Sequence, residues 1–256
     1  MKILCVIDNL GSGGAQRQLV ELGMAFKDKG HDVTYLIYFN QDFYHTTLID
    51  NNISIFKVLD KNYFMRLYKM RKFIRSGSFD SVISFLEAPN FICELSGFPF
   101  KSWKLIVGER SSNPNIFKSF KLKTYRYFHF FSDYIVSNSY CNLEIVKKIN
   151  PLLSNRKCKV IYNAVKFSIV QSVPKHIFLK DGVLKIIIGA SHQYLKNSAS
   201  LVKAVNLLAP ELKSRVIVHW YGDRVIPPFF DASYEETTKL VKEYNLEGTI
   251  KFYPAT

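Results

Sequence analysis

What this chain lacks narrows its class before any motif is read. Acidic residues are scarce, 21 Asp and Glu against 35 Lys and Arg, and the formal charge of +14 points to a polyanionic partner: nucleic acid, anionic lipid or a phosphorylated substrate. Cysteine is sparse too. Its four positions, 5, 93, 141 and 158, show no CxxC spacing, and Cys5 and Cys93 lie in apolar runs where a reduced, buried thiol is the ordinary state, as in a cytosolic protein. The six histidines form no HxxH or HxxxH pair, which gives a zinc site little support. No uncharged apolar run approaches the roughly 18 residues that a membrane-spanning helix needs. The N-terminal MKILCVIDN turns polar after seven residues, too short for the apolar segment of a signal peptide, and reads as a first β-strand. No repeat of 20 to 50 residues and no low-complexity tract occurs.

What is present is a globular composition, 48% apolar and 22% charged over 256 residues, enough for one large or two modest domains. Both halves are basic: residues 1–150 hold 20 Lys/Arg against 13 Asp/Glu, and residues 151–256 hold 15 against 8. Apolar, β-branched runs recur at Ile3–Ile7, Val33–Tyr38, Ile53–Val58, Val82–Leu86, Lys104–Val107, Tyr134–Ser137 and Lys159–Tyr162, with helical patterns between them. In the first helix Ala15, Leu19, Leu22 and Phe26 share one face, and Gly30 sits where a helix C-cap glycine belongs. Alternating strands and helices predict a parallel sheet covered on both faces. After IYNAVKFSIV the linker-like QSVPKHIFLKDG marks a boundary, and a second series begins: strand Leu184–Ile188, a helix near Ser198–Leu208, strand Arg215–Trp220, a helix near Tyr234–Tyr244 and strand Thr249–Tyr253. The expected organisation is a first domain over 1–165, a linker over 166–182 and a partial domain over 183–256, since three strands make at best half of a doubly wound sheet.

The stretch DNLGSGGAQRQLVELGMAFKDKGHDV raises the question of a dinucleotide site, because a glycine-rich turn leading into a helix offers free N–H groups to a pyrophosphate. The spacing fails. From Gly11 the GxGxxG pattern requires glycine at 16, where Gln16 stands, and Asp32 precedes the second strand instead of ending it, so no acid is placed for a ribose. A purely structural turn would need fewer glycines.

GSGGAQRQLVELGMAFKDKGHDVTYLI resembles the opening of the retaining glycosyltransferases of family 4, whose first loop commonly reads GGAE or GGAQ before an amphipathic helix and a GHEV segment. VISFLEAPN with LIVGERSSNP is similar to the family's fourth and fifth strands, SDYIVSNSYCNLEIVKKI to its "vSnS" strand and helix, KVIYNAV to the "IpNgvd" closing the first domain, and KIIIGASHQYLKNSASLVKAVNLL to the start of the second domain. The shared order spans nearly the whole chain. The fold it implies is α/β of GT-B type: a complete Rossmann-like N-terminal domain on the acceptor side, plus a partial Rossmann-like C-terminal domain that binds the nucleotide sugar.

The resemblance implies sugar transfer, with retention, from a nucleotide diphosphate sugar to a hydroxyl of a glycan or lipid-linked glycan, in cell-surface polysaccharide synthesis. The co-substrate is a nucleotide sugar, a UDP-sugar first among them, with no other cofactor; no metal is implied, because lysine, arginine and helix termini can stabilise the leaving diphosphate. Gly13, Gly14, Lys196, Asn197 and Gly222 are the expected donor-binding positions, and Gln16, Glu87 and Asn90 the acceptor-side ones. Lys196 would contact the diphosphate, and Asn197 would serve as an N-cap that leaves the helix N-terminus open to phosphate. Tyr221, Gly222 and Asp223 match a "yGdG" strand end. Members often carry an arginine shortly before this lysine, whereas GASHQYLK has His192, which lacks a permanent charge. Many also carry a histidine after the fifth strand, where this sequence has Glu109 and Arg110. These two are the candidates for catalysis, although a structural ion pair accounts for them equally well; no general base can be assigned. Members continue beyond the equivalent of FYPAT with a segment of paired glutamates that hold the donor, so the expectation is a C-terminally truncated chain, binding donor weakly or completed by a partner chain.

Two basic, aromatic stretches stand apart. In KNYFMRLYKMRKFIR the residues Tyr63, Leu67, Met70 and Ile74 form an apolar stripe bordered by Arg66, Lys69, Arg71, Lys72 and Arg75, and NPNIFKSFKLKTYRYFHFF repeats the combination. Either a solvated helix face or docking on an anionic membrane surface accounts for them; the latter, implied by the resemblance, would make the protein cytoplasmic and peripheral on the inner face of the membrane. No nucleic-acid module is recognised. The alternative functions are a noncatalytic partner of a longer transferase and a GT-B-fold sugar-nucleotide epimerase.

Overall fold

The computed structural model describes residues 1–111, 114–164, 182–224 and 232–255. The chain divides into two compact units, Met1–Phe167 and Ser168–Thr256. The linker expected at 166–182 lies, up to residue 181, outside the described residues.

In the first unit, strands β1 (Lys2–Val6), β2 (Asp32–Ile37), β3 (Ser54–Lys57), β4 (Ser81–Phe85), β5 (Lys104–Glu109), β6 (Tyr134–Ser137) and β7 (Cys158–Val160) form one sheet in the order β3-β2-β1-β4-β5-β6-β7, every pairing parallel. Successive side chains of a strand point to opposite faces, so a sheet buried on both sides needs apolar residues at every position. β1 shows this: Leu4 and Val6 join one core cluster, while Ile3 and Cys5 join the other. The first face is covered by α3 (Tyr63–Ser76), α4 (Glu87–Gly97) and α6 (Tyr140–Ile149) through Met70, Ile74, Ile92, Cys93, Leu143 and Val146. The second is covered by α1 (Gly14–Asp28) and α2 (His45–Asp50) through Leu19, Val20 and Leu48. The anticipated stripe of α1 is realised, and Gly30 takes a φ of +81° just beyond its end, a conformation glycine adopts without strain. One further helix, α5 (Phe120–Phe128), packs against α4.

In α3 the expected apolar stripe is buried at Met70 and Ile74 and half-buried at Leu67, whereas Tyr63 is exposed, and part of the basic border is engaged by the protein itself. Arg71 donates to the carbonyls of Leu95 and Phe98, and Arg75 to those of Ser96 and Phe100. Both guanidinium groups thus cover the C-terminal end of α4, where unpaired carbonyls and the negative dipole end favour cations. Lys69 is held by Asp60 at 2.8 Å, and the Arg66 guanidinium lies over the Tyr38, Phe39 and Tyr63 rings.

The second unit contains β8 (Leu184–Gly189), β9 (Val216–Tyr221) and β10 (Ile250–Tyr253), parallel in the order β10-β9-β8, with α7 (Ser198–Asn206), the single-turn α8 (Pro210–Lys213) and α9 (Ser233–Glu243). Val202, Val205, Val218, Val241, Leu246 and Ile250 form its core. Between α7 and α9 the buried Ser198 hydroxyl meets that of Thr237 at 2.7 Å, which satisfies two polar groups that would otherwise be costly to enclose.

Candidate functional site

In an open parallel sheet, ligands bind outside the carboxyl ends of the strands, at the point where strand order reverses. In the first unit that point lies between β1 and β4. The chain leaving β1 turns through Asn9, whose side-chain oxygen accepts from the Gly11 N–H at 2.8 Å. Gly13 is the N-cap of α1, with no side-chain cap bond and no acidic residue in the first turn, so the positive end of the helix is left bare. Gly14 follows, exposed. A Cβ at Gly13 would run into the Gln16 side chain, which donates from Nε2 to Asp8 Oδ1 at 3.1 Å. Burial holds the Asp8 carboxyl above its ordinary value, opposed by the hydrogen bonds from Asn9 and Gln16. Asp32, first residue of β2, lies at the amino end of that strand, away from this edge.

Glu87 opens α4 after Leu86, whose φ of 78° and ψ of 157° are a conformation ordinarily reserved for glycine. Its side chain is partly exposed and accepts from Arg126 Nη2 at 3.4 Å. Asn90 is fully buried, takes a hydrogen bond from the Ser84 hydroxyl at 2.7 Å and donates to the Gly108 carbonyl at 3.1 Å. It ties α4 to β4 and β5 and has no amide group facing solvent, whereas the expectation placed it on the acceptor-binding side.

Glu109 and Arg110 do not pair with each other. Glu109 is buried and bonded to Arg126 Nη2 at 2.8 Å and to His129 Nε2 at 2.9 Å, while His129 Nδ1 meets Glu94 Oε1 at 2.7 Å. Arg126 itself is 0% exposed. Burial alone would raise the Glu109 carboxyl, but the His129 and Arg126 contacts outweigh it and hold it below the usual range. Burial raises Glu94, and the histidine only partly offsets that. For His129 burial opposes the charge, yet the two carboxylates lift the ring to about 9, so it is an imidazolium at neutral pH. Enclosed among these partners, Glu109 is unsuited to meet a substrate. Sequence reasoning missed Glu94, Arg126 and His129; a helix that mixes Arg and His into an aromatic run was their only local signal. Arg110 remains at the edge. Its guanidinium lies 3.7 Å from the Phe85 ring centre and donates to Asn163 at 3.3 Å, with Nε buried and unpartnered; burial brings it down to about 10, still charged at neutral pH.

In the second unit, β8 runs into residues 190–197 and then α7. Lys196 ends a turn of 3-10 helix over Tyr194–Lys196, exposed and with no side-chain partner among the described residues. Asn197 occupies the N-cap of α7 in the left-handed region, φ 55° and ψ 42°, which asparagine tolerates, but its side chain makes no cap bond. Asn197 thus takes the expected N-cap position, and with no side-chain cap bond the N-terminal amides of α7 are left open. At the end of β9, a Cβ on Gly222 would strike the Ala190 carbonyl, so glycine allows the two strand ends to approach. The Asp223 carbonyl accepts from the His192 N–H at 3.0 Å. The His192 ring is enclosed by Trp220, Tyr234 and Phe252 with Nδ1 unpartnered, and burial lowers its basicity, so the ring is neutral and supplies no phosphate charge.

No family model matches the chain, and no curated protein matches it in sequence. Solved structures share its fold over the whole length. HepE of Anabaena in complex with UDP-glucose superposes with a TM-score of 0.81 at 16% identity, covering 100% of this chain and 69% of that one. Sucrose-phosphate synthase of Thermosynechococcus elongatus gives 0.78 at 12% identity, with 100% and 71% covered. A glycosyltransferase of Rickettsia africae gives 0.72 at 20%, with 100% and 68% covered. The fold is thus of the GT-B type, a seven-stranded Rossmann-like sheet with a second, smaller parallel sheet.

Proposed function

We propose that this chain is a glycosyltransferase of the family 4 type, transferring a sugar with retention from a nucleotide diphosphate sugar, a UDP-sugar first, to a hydroxyl of a glycan or lipid-linked glycan in surface polysaccharide synthesis. The observation that carries the reading is Lys196 beside the uncapped N-terminus of α7, both following the carboxyl end of β8. When the glycosidic bond to the diphosphate breaks, negative charge develops on the leaving phosphates, and a fixed ammonium with preorganised N–H donors stabilises it. In the first unit Gly13 and Gly14, at the open N-terminus of α1, are further donor-binding positions, and Gln16 with Asp8, Glu87 and Arg110 are the acceptor-side ones; the carboxylates accept sugar hydroxyls, and Arg110 pairs with an anionic group. GT-B structures bound to UDP-glucose support the donor class.

The acceptor class fits a peripheral position on an anionic membrane. No helix among the described residues is long and apolar enough to cross a membrane. Since Arg71 and Arg75 are engaged with α4, the docking face is assigned to the α5 region, where Phe117, Phe120, Tyr127 and Phe130 are exposed beside Lys118 and Lys121. Calorimetric titration with UDP, GDP and UDP-glucose tests the donor site. Binding of one nucleotide that is lost in Lys196→Ala, with the thermal midpoint unchanged, is expected; no binding at millimolar ligand overturns the reading.

A further inference from the structure

β3 is the outermost strand of the first unit's sheet: it pairs with β2, and its other edge is unpaired among the described residues. Just past the strand, the Val58 N–H donates back to the Ile37 carbonyl of β2 at 2.9 Å. Backbone groups of successive strand residues point to opposite sides, so those of Ile55 and Lys57 are turned to the open edge. That edge borders a cavity of about 750 Å³ between residues 56–61 and α3. Its floor is apolar: the Phe56 and Phe73 rings stack at 4.0 Å and 12°, with Val58 and Leu59 beside them. Phe56 and Leu59 are 44% and 52% exposed, an unusual state for apolar side chains that share one concavity. Four lysines stand around this floor. Lys57 is held by Asp42 and Lys69 by Asp60, each at 2.8 Å, whereas Lys61 and Lys72 are exposed and have no hydrogen bond or ion pair among the described residues.

An open strand edge, an apolar groove and unpaired lysines side by side fit one kind of partner. Outward N–H and C=O groups are satisfied by a chain that donates and accepts in turn, which an extended peptide does and an acyl chain does not. Alternate side chains of an added strand fall on one face, where apolar ones would cover Phe56 and Phe73. Charge then decides which peptide. Lysines on an edge strand discourage pairing with a second copy of the same chain, because the copy brings the same ammonium groups to the contact. Carboxylates flanking the apolar side chains would instead meet Lys61 and Lys72. We infer that β3 and the groove beside it bind an extended acidic segment of a partner protein, added to the sheet as a further strand. Such binding requires no sugar transfer, so failure of the transferase reading leaves it standing.

The test is fluorescence anisotropy of the full chain with a labelled peptide, Glu-Thr-Val-Thr-Val-Thr-Glu, which carries its valines and glutamates on one face. Its controls replace both glutamates by lysine, or the central threonine by proline, which cannot continue a ladder. Saturable binding is expected, at least tenfold tighter than for either control, with slowed hydrogen exchange at the Ile55 and Lys57 amides read by NMR. It should weaken at least tenfold in the Lys61→Glu/Lys72→Glu variant and in Phe56→Ser. Both lysines are exposed and unpaired, so the double variant should keep its thermal midpoint even if loss of the Phe56 stack lowers that of the other. No saturable binding at millimolar peptide, equal binding of the lysine or proline control, or unchanged exchange at Ile55 and Lys57 would each overturn the inference. So would binding of phosphatidylglycerol vesicles, in place of the peptide, that is lost in the double variant.

Discussion

Arg126 is the residue on which the first unit's polar interior turns. Fully buried, it faces Glu109 and Glu87, while His129 bridges Glu109 to Glu94. Removing one member of such a group leaves a buried charge uncompensated, at a cost of about 3–5 kcal/mol. Arg126→Met should therefore lower the unfolding free energy by that order in urea titrations, far more than Lys72→Ala on the surface. The histidine makes the network pH-dependent. Its folded value of about 9 exceeds the ordinary 6.5, so its contribution is complete below pH 6.5 and is lost as pH rises through 9. By linkage this amounts to roughly 3 kcal/mol at most. Glu109, depressed by its partners, works at the other end and loses its contribution on acidification below the usual carboxylate range; Glu94, raised by burial, opposes it there. Unfolding free energy should fall between pH 6.5 and 9, and His129→Gln should flatten that slope. A slope unchanged in the variant would show that the imidazolium is not its source.

At the scale of elements, the ends of helices decide more than their faces. The C-terminus of α4 is capped from outside by two arginines of α3, and loss of a charged hydrogen-bond donor to backbone carbonyls typically costs about 1.5–3 kcal/mol. Arg75→Ala should lower stability accordingly and leave vesicle binding intact, whereas Lys118→Glu/Lys121→Glu in the α5 region should abolish binding to anionic vesicles without changing the thermal midpoint. The reverse pattern in co-sedimentation would return membrane docking to α3. In the second unit, Gly222→Ala would press a methyl group into the Ala190 backbone; overpacking of this kind costs about 1–3 kcal/mol. A lowered melting midpoint and weaker nucleotide binding are the expected outcomes.

Across the whole molecule the two units carry separate chemistry: open helix termini and a free lysine in the smaller one, carboxylates and a stacked arginine at the carboxyl edge of the larger. Addition of UDP-glucose should slow amide hydrogen exchange over residues 189–199 and 221–224. Protection confined to the first unit would contradict the donor assignment. Strand positions were legible in the sequence because a sheet covered on both faces demands contiguous β-branched and apolar runs, and the period is local to each run. The glycine turn before α1 and the lysine before α7 were legible for the same reason: both sit where a strand pattern gives way to a helix pattern. Glu109 with Arg126 and His129, by contrast, are 17 and 20 residues apart, and Arg126 with Glu87 39 apart. The sealing of Asn90 and the capture of Arg71 and Arg75 by α4 also depend on neighbours distant in the chain. Sequence by itself determined the alternation of strands and helices, the basic surface and the places where loops meet sheet edges, since these follow from short-range periodicity and composition. Only the tertiary structure decided which charged groups face solvent and which are enclosed, because the desolvation that changes a carboxylate from ligand-binding to structural exists only once helices pack on the sheet.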